Sequence, residues 1–349
     1  MGALLALACG TQATSDPGYQ NLGGSGAASS SSSSSSSTTT TGTTTTTTGA
    51  GGGEPDGKGP PYPIVLAHGF FGFEDFAGLG FVDYFWHVKA HLATVGEIVY
   101  TPAVDPFNDS AFRGEQLALA ISGILAHTGY RKVNLVGHSQ GGLDARYVAH
   151  MYPDMVASVV TLQTPHAGTP IADIALKVLS DPSLNDVLDL LLLLAGQPLW
   201  NQIGDTTSLA KPMYLFSQQG IAEFNATYTD RPGIYYASVA GRSSHDPGGP
   251  DCEGGSAGFI AATSGYLDPI EPLLAATAAV LGGGPGESIP NDGLVRARDA
   301  KWGEFLGCVP ADHMDLIGHL FGDAPGGTNH FDYQAFYVNL VAWLRHKGL

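Results

Sequence analysis

The sequence predicts an α/β domain: a mostly parallel sheet with helices on both faces. Three observations carry this. Short, continuously apolar runs such as YPIVLAHG (62–69), KVNLVG (132–137) and VASVVTLQTP (156–165) read as strands buried on both faces. Longer stretches with helical spacing of apolar residues separate them, so strand and helix alternate along the chain. The segment from Tyr62 to Leu349 also has the length of one large α/β domain.

The elements follow in order. After YPIVLAHG comes FVDYFWHVKAHLATVG, an amphipathic helix over 81–96 that stops at Gly96. EIVYTPAV (97–104) is the second strand and RGEQLALAISGILAHTG (113–129) the second helix. KVNLVG is a strand, ARYVAHMYP (145–153) is helical, and VASVVTLQTP is the strand after it. YQAFYVNLVAWLRHKG (333–348) is the last helix. Gly-rich segments near 248–255 and 282–286 read as surface loops.

Residues before Tyr62 have a different character. MGALLALACG is apolar, then small, and ends near Cys9, so residues 1–28 resemble a bacterial lipoprotein signal with Cys9 as the lipidation candidate. No Lys or Arg precedes the apolar run and Ala6 stands where Leu is usual; a start assigned too late accounts for the missing basic residues. Residues 29–61 are Ser/Thr-rich and then Gly/Pro-rich, a composition that buries too little apolar surface to fold, and are expected to form a disordered linker. The chain is therefore expected to be exported, either released or tethered to a membrane through Cys9. The formal net charge of −17 argues against a nucleic-acid partner and suits binding a cation. Of three cysteines, Cys252 and Cys308 remain for the domain, and in an exported protein an even pair reads as one disulfide.

Chemistry concentrates at LVGHSQGG (135–142). Gly137, Ser139 and Gly141 form G-x-S-x-G between a strand and a helix, where a turn this sharp leaves no room for flanking side chains and lifts a serine hydroxyl out of the sheet. Such a hydroxyl needs a base, and the base an orienting acid, in the chain order Ser, acid, His. Asp292 in IPNDGLV and His313 in ADHMDLIG supply them, 21 residues apart. His319, His330 and His346 are the competing histidines; His330 directly precedes the last helix and reads as a cap or surface residue. Asp292 also suits an ordinary Asn-Asp-Gly turn. AHGFFG (67–72) follows the first strand, so the N–H of Phe70 pairs with that of Gln140 as candidate donors to an oxyanion.

PIVLAHGFFG, RGEQL, VNLVGHSQGG, ASVVTLQTPHAG, NDGLV and DHMDLIG together resemble bacterial true lipases of family I, the Pseudomonas and Burkholderia type, which have the α/β-hydrolase fold. The likeness covers most of 62–349 in the same order and is weak between about Leu176 and Gly265. It implies Ser139, Asp292 and His313 as catalytic triad, Phe70 and Gln140 as oxyanion pair, and Arg113 as support for the oxyanion loop. It also implies a structural calcium ion held by Asp268, 24 residues before Asp292, and Asp315, two after His313, with the backbone carbonyls of His319 and Asp323. No organic cofactor is expected. Asp268 and Asp315 as mere turn or cap residues is the competing reading. One departure stands out: the family's second cysteine lies just after the catalytic acid, whereas Cys308 lies five residues before His313.

KVLSDPSLNDVLDLLLLLAG (177–196) is apolar almost all round over 187–195, too short to cross a membrane. By resemblance it belongs to a helical lid, at about 173–205, that opens on a lipid surface; a core helix is the alternative. The expectation is thus an exported triacylglycerol lipase acting on lipid esters at an oil–water interface, with a dedicated folding chaperone a partner of several family members. A carboxylesterase or polyester depolymerase is the nearest rival, and a silent lipid-binding surface module the rival of another class.

Overall fold

The structure is a computed structural model that describes residues 57–70, 83–180, 210–243, 248–283, 287–319, 325–326 and 328–349. The expected signal and Cys9, most of the linker, the 187–195 run and Asp323 lie outside the described residues. Ordered chain begins before Tyr62, because Lys58 N–H donates to the Gly129 carbonyl (2.7 Å) and Lys58 bridges to Tyr130.

Six parallel strands form one sheet: β1 Ile64–Ala67, β2 Val99–Tyr100, β3 Val133–His138, β4 Val156–Leu162, β5 Tyr235–Gly241 and β6 Glu304–Val309, in the order β2-β1-β3-β4-β5-β6. The helices are α1 Val88–Thr94, α2 Ser110–Thr128, α3 Gln140–Met151, α4 Pro170–Ser180, α5 Ala210–Phe216, α6 Gln218–Thr227, α7 Gly258–Ala261, α8 Ala275–Leu281 and α9 Tyr333–His346. Every residue of β1, β3 and β4 is buried, as the unbroken apolar runs require. Ile64, Leu66, Val136, Val160 and Val239 face α1 and α9, packing on Leu92, Phe336, Leu340 and Leu344. Val65, Val133, Leu135 and Val159 face the other way, onto Leu117 and Ile121 of α2 and Leu143 and Val148 of α3. Among the described residues no helix is long and apolar enough to cross a membrane.

Several boundaries differ from the sequence reading, among them the helix given as 145–153, which runs from Gln140 to Met151, and the strand given as 156–165, which ends at Leu162. The helix expected over 81–96 begins only at Val88, because Phe85 is pulled into the core and His87 adopts a left-handed φ of 56°. Strand 97–104 shrinks to two paired residues, since the chain then leaves the sheet to reach the site. Helix α2 starts earlier, at Ser110, where the Asp109 carboxylate accepts the N–H groups of Ala111 and Phe112. It ends, as expected, at a glycine in left-handed conformation, Gly129.

The chain crosses from β1 to β2 on one side and then to β3 on the other, so the crevice at the carboxyl ends of β1 and β3 is a topological switch point. The candidate site opens there.

Candidate active site

β3 delivers the chain to Ser139, which sits at φ 55°, ψ −126°, and α3 begins at the next residue. A non-glycine residue in this region is strained by about 1–3 kcal/mol and persists only where its surroundings impose it. Here they do. A Cβ on Gly137 would lie 2.3 Å from the Gly141 carbonyl oxygen, and one on Gly141 2.1 Å from that of Ala67. The spacing of G-x-S-x-G is therefore a packing requirement at both glycines. Ser139 N–H donates to the Leu162 carbonyl (2.9 Å) and the Thr164 hydroxyl donates to the Ser139 carbonyl (2.8 Å), which clamps the turn to the end of β4. Ser139 is half-buried while His138 and Gln140 on either side are fully buried, so the turn presents one side chain. The Gln140 N–H, at the first position of α3, lies at the positive end of the helix.

β1 pairs with β3 so that Ala67 lies opposite Gly137, which brings His68, Gly69 and Phe70 alongside the serine turn. Gly69 touches it: an added Cβ would be 2.8 Å from the Ser139 Cβ. Arg113 holds this loop. Its guanidinium is fully buried and donates to the carbonyls of His68 (2.6 Å), Gly69 (3.3 Å) and Asp105 (2.9 Å), while Nε pairs with Asp144 at 2.7 Å. His68 adds a second brace that the sequence reading did not single out, although the His-Gly pair contains it. Its Nδ1–H donates to the Gly69 carbonyl (2.9 Å) and Nε2 accepts the Val104 N–H (3.1 Å). Burial, and then the Arg113 charge, push its pKa down to about 3, so the ring is neutral and keeps that pattern. The Phe70 ring packs edge-on against Phe107 and Phe216.

On the far side, β5 and β6 lead to the other two residues. The Asn291 carbonyl accepts the Ser243 N–H (2.9 Å) beyond β5, and His313 N–H, beyond β6, donates to the Asp292 carbonyl (2.8 Å). His313 Nδ1 donates to Asp292 Oδ2 at 2.9 Å, with both side chains buried. Asp292 Oδ1 meanwhile accepts the N–H groups of Leu294 (2.9 Å) and Val295 (2.6 Å). The turn reading and the orienting reading of Asp292 thus hold together, one oxygen each. The bond at Nδ1 leaves His313 Nε2 for another partner, and the His313 ring lies 4.6 Å from that of His138, the neighbour of Ser139. The rival histidines take other places. His330 is exposed against Tyr266, with Asp332 rather than His330 capping α9; His346 is exposed near the end of α9; His319 is buried against Tyr84 and Trp86.

Asp268 and Asp315 do come together, joined by Asp312, which the sequence reading passed over. One oxygen from each lies within 4.8 Å of the others, and all three residues are buried. Asp312 accepts the N–H groups of Met314 and Asp315 at Oδ1 and of Glu271 at Oδ2. Both Asp268 oxygens and Oδ1 of Asp315 are buried with no hydrogen-bond donor. Burial, followed by repulsion within the cluster, raises the pKa of Asp268 and Asp315 strongly. Three hard oxygen donors, two of them unsatisfied, form an arrangement that fits a divalent cation. Cys252 and Cys308 are bonded, tying the 3₁₀ turn Pro250–Cys252 to β6 just ahead of His313.

The strand order, the strained serine turn and the loops gathered at the switch point define the α/β-hydrolase class, and the family model described as alpha/beta hydrolase fold matches residues 62–183. A triacylglycerol lipase of Vibrio cholerae is 33% identical over 271 residues, 75% of this chain and 81% of that protein. A triacylglycerol lipase of Pseudomonas fragi is 28% identical over 306 residues, 82% and 97% of the two chains. The mature form of Bacillus licheniformis lipase BlEst2 shares the fold, with a TM-score of 0.52 at 23% identity over 77% of this chain and 92% of that one. The chain belongs to the bacterial lipase family of α/β-hydrolases and is a serine carboxylic ester hydrolase.

Proposed function

We propose that Ser139, His313 and Asp292 form the catalytic relay of a triacylglycerol lipase. The observation that carries this is the His313 Nδ1–Asp292 Oδ2 bond at 2.9 Å, made on loops that gather beside the strained serine turn. In this mechanism the Ser139 hydroxyl attacks the ester carbonyl and His313 Nε2 takes its proton; the Asp292 carboxylate stabilises the imidazolium. Charge developing on the carbonyl oxygen is met by the N–H groups of Phe70 and Gln140, the first on the loop that Arg113 and His68 brace. His313 passes its proton to the leaving alcohol, and water then cleaves the acyl-enzyme by the same route. Replacing Ser139 by Ala should lower turnover by at least about 10⁴-fold with an unchanged melting profile; retained turnover sinks the assignment.

Long-chain acylglycerols are the proposed substrates, supported by the two triacylglycerol lipases matched over most of this chain. Rates on emulsified long-chain triglyceride and on a soluble short-chain ester separate a lipase from a carboxylesterase or depolymerase. A calcium ion is the proposed occupant of the Asp268, Asp312 and Asp315 cluster, joined by the His319 and Asp323 carbonyls; bound there, it supplies the positive charge that keeps these carboxylates ionised. Their residues would then pin the turn that begins at His313. Export, with the N-terminal 61 residues as signal and linker and Cys9 as tether, is supported by the Cys252–Cys308 bond. The lid at 173–205 and a folding chaperone complete the proposal.

A further inference from the structure

Gln163 is the residue after β4, and its place in the fold is unusual. It is fully buried, and its φ of 51° makes it, with His87 and Ser139, one of three non-glycine residues in the left-handed region among those described. Strain at a buried polar residue calls for something that its side chain does. Its Nε2 donates to the carbonyls of Ala311 (3.2 Å) and Asp312 (2.9 Å), the two residues immediately before His313. Its Oε1 is bonded to His138 Nε2 at 3.0 Å. An amide oxygen only accepts, so His138 donates from Nε2, and its Nδ1 accepts the Tyr84 hydroxyl at 2.8 Å. The Tyr84 hydroxyl in turn lies against Gly69, where an added Cβ would be 2.5 Å from it. A single tautomer of His138 and a single orientation of the amide satisfy the whole chain. Room for the amide comes from the end of β5: a Cβ on Gly241 would lie 2.0 Å from Gln163 Nε2.

The loop bearing Gly69, the turn bearing Ser139 and the loop bearing His313 are therefore joined by three side chains, Tyr84, His138 and Gln163. We propose that Gln163 is a positioning residue: its amide fixes the 311–312 backbone, and with it the placement of His313 relative to Ser139. This rests on the catalytic reading above. An error of about 1 Å in such a placement costs up to about 10²-fold in rate, so the effect belongs in kcat.

Gln163→Glu keeps shape and acceptor but loses both donors; Gln163→Leu loses every bond. Each should lower kcat by about 10- to 100-fold while KM stays within about twofold. In a His313→Ala background, where there is no base left to position, Gln163→Leu should change the residual rate by less than about twofold. Full kcat in a folded Gln163 variant, or the same loss with and without His313, overturns the proposal. If neither Gln163 variant folds, Tyr84→Phe decides, because it removes only the hydroxyl at the far end of the chain. A drop of about threefold in kcat that vanishes in the His313→Ala background supports the proposal, and an unchanged kcat overturns it. Ser139→Ala separates the two claims: if it stays active the catalytic reading falls, whereas if it is inert and the Gln163 variants are unimpaired only the positioning role falls.

Discussion

The two halves of the site are held in place by different means. Ser139 is fixed by backbone geometry within a few residues: two glycines that tolerate no Cβ, a strained φ, and the start of α3. His313 is held by side chains that arrive from far along the chain: Asp292 from 21 residues away, Gln163 from about 150, a disulfide at Cys308, and the acidic cluster beside it. A backbone turn has little to titrate, reduce or chelate. Side-chain anchors have all three weaknesses, so pH, redox state and metal should act on this enzyme through the half that carries the histidine.

The largest effect expected on that half is chemical. Asp292→Asn keeps the shape of the residue but presents the wrong group to Nδ1, and kcat should fall by about 10³- to 10⁴-fold, roughly 4–5.5 kcal/mol of barrier. The Ser139 turn should be untouched, so the melting temperature should move by a few degrees at most; a large drop in melting temperature would mean that the turn made by Asp292 Oδ1 matters more than its bond to His313. Next in size is the disulfide. It closes a loop of 56 residues, and its loss should cost about 4 kcal/mol by loop entropy. Thermal melts with and without reductant measure this, and activity should fade at lower temperature than the helical signal does if the histidine loop loosens first.

The cation effect is smaller and has a sign that can be checked. Asp268 and Asp315 have folded-state pKa values raised above the ordinary carboxylate value of about 4. Without the cation these two groups bind more protons in the folded than in the unfolded chain, so the stability they contribute is greatest at acid pH and is lost as pH rises above about 4. Calcium at about 100 times its Kd should add about 2.7 kcal/mol and flatten that decline. Melting temperatures from pH 5 to 9, with calcium and with a chelator, give the comparison. Curves that coincide would remove the cation from the site.

How much of this was legible beforehand follows the same division. The motif around Ser139 could be read directly, since the glycines, the strand before them and the helix after them are contiguous. Asp292 and His313 were legible as residues but not as a place, because β5 and β6, whose ends bring them together, went unread. YYASVAG and EFLGCV are short, interrupted by Ser, Ala or Gly, and lack a clear apolar run. Asp312 looked like a neighbour of His313 and turned out to be the third carboxylate of a cluster. Gln163 and His138 gave no signal, because each acts through partners that sequence distance hides.

Local steric demand was written in the order of the residues: where a turn must be tight, which serine it offers, which segments alternate between strand and helix. The tertiary structure alone decided which oxygen meets which nitrogen at His313, that three aspartates share one small volume, and that an amide at the end of β4 spans two loops. The reason is physical. A strained turn depends on atoms a few bonds apart, whereas charge clusters and buried hydrogen-bond chains depend on distances between strand ends that only the packed sheet sets.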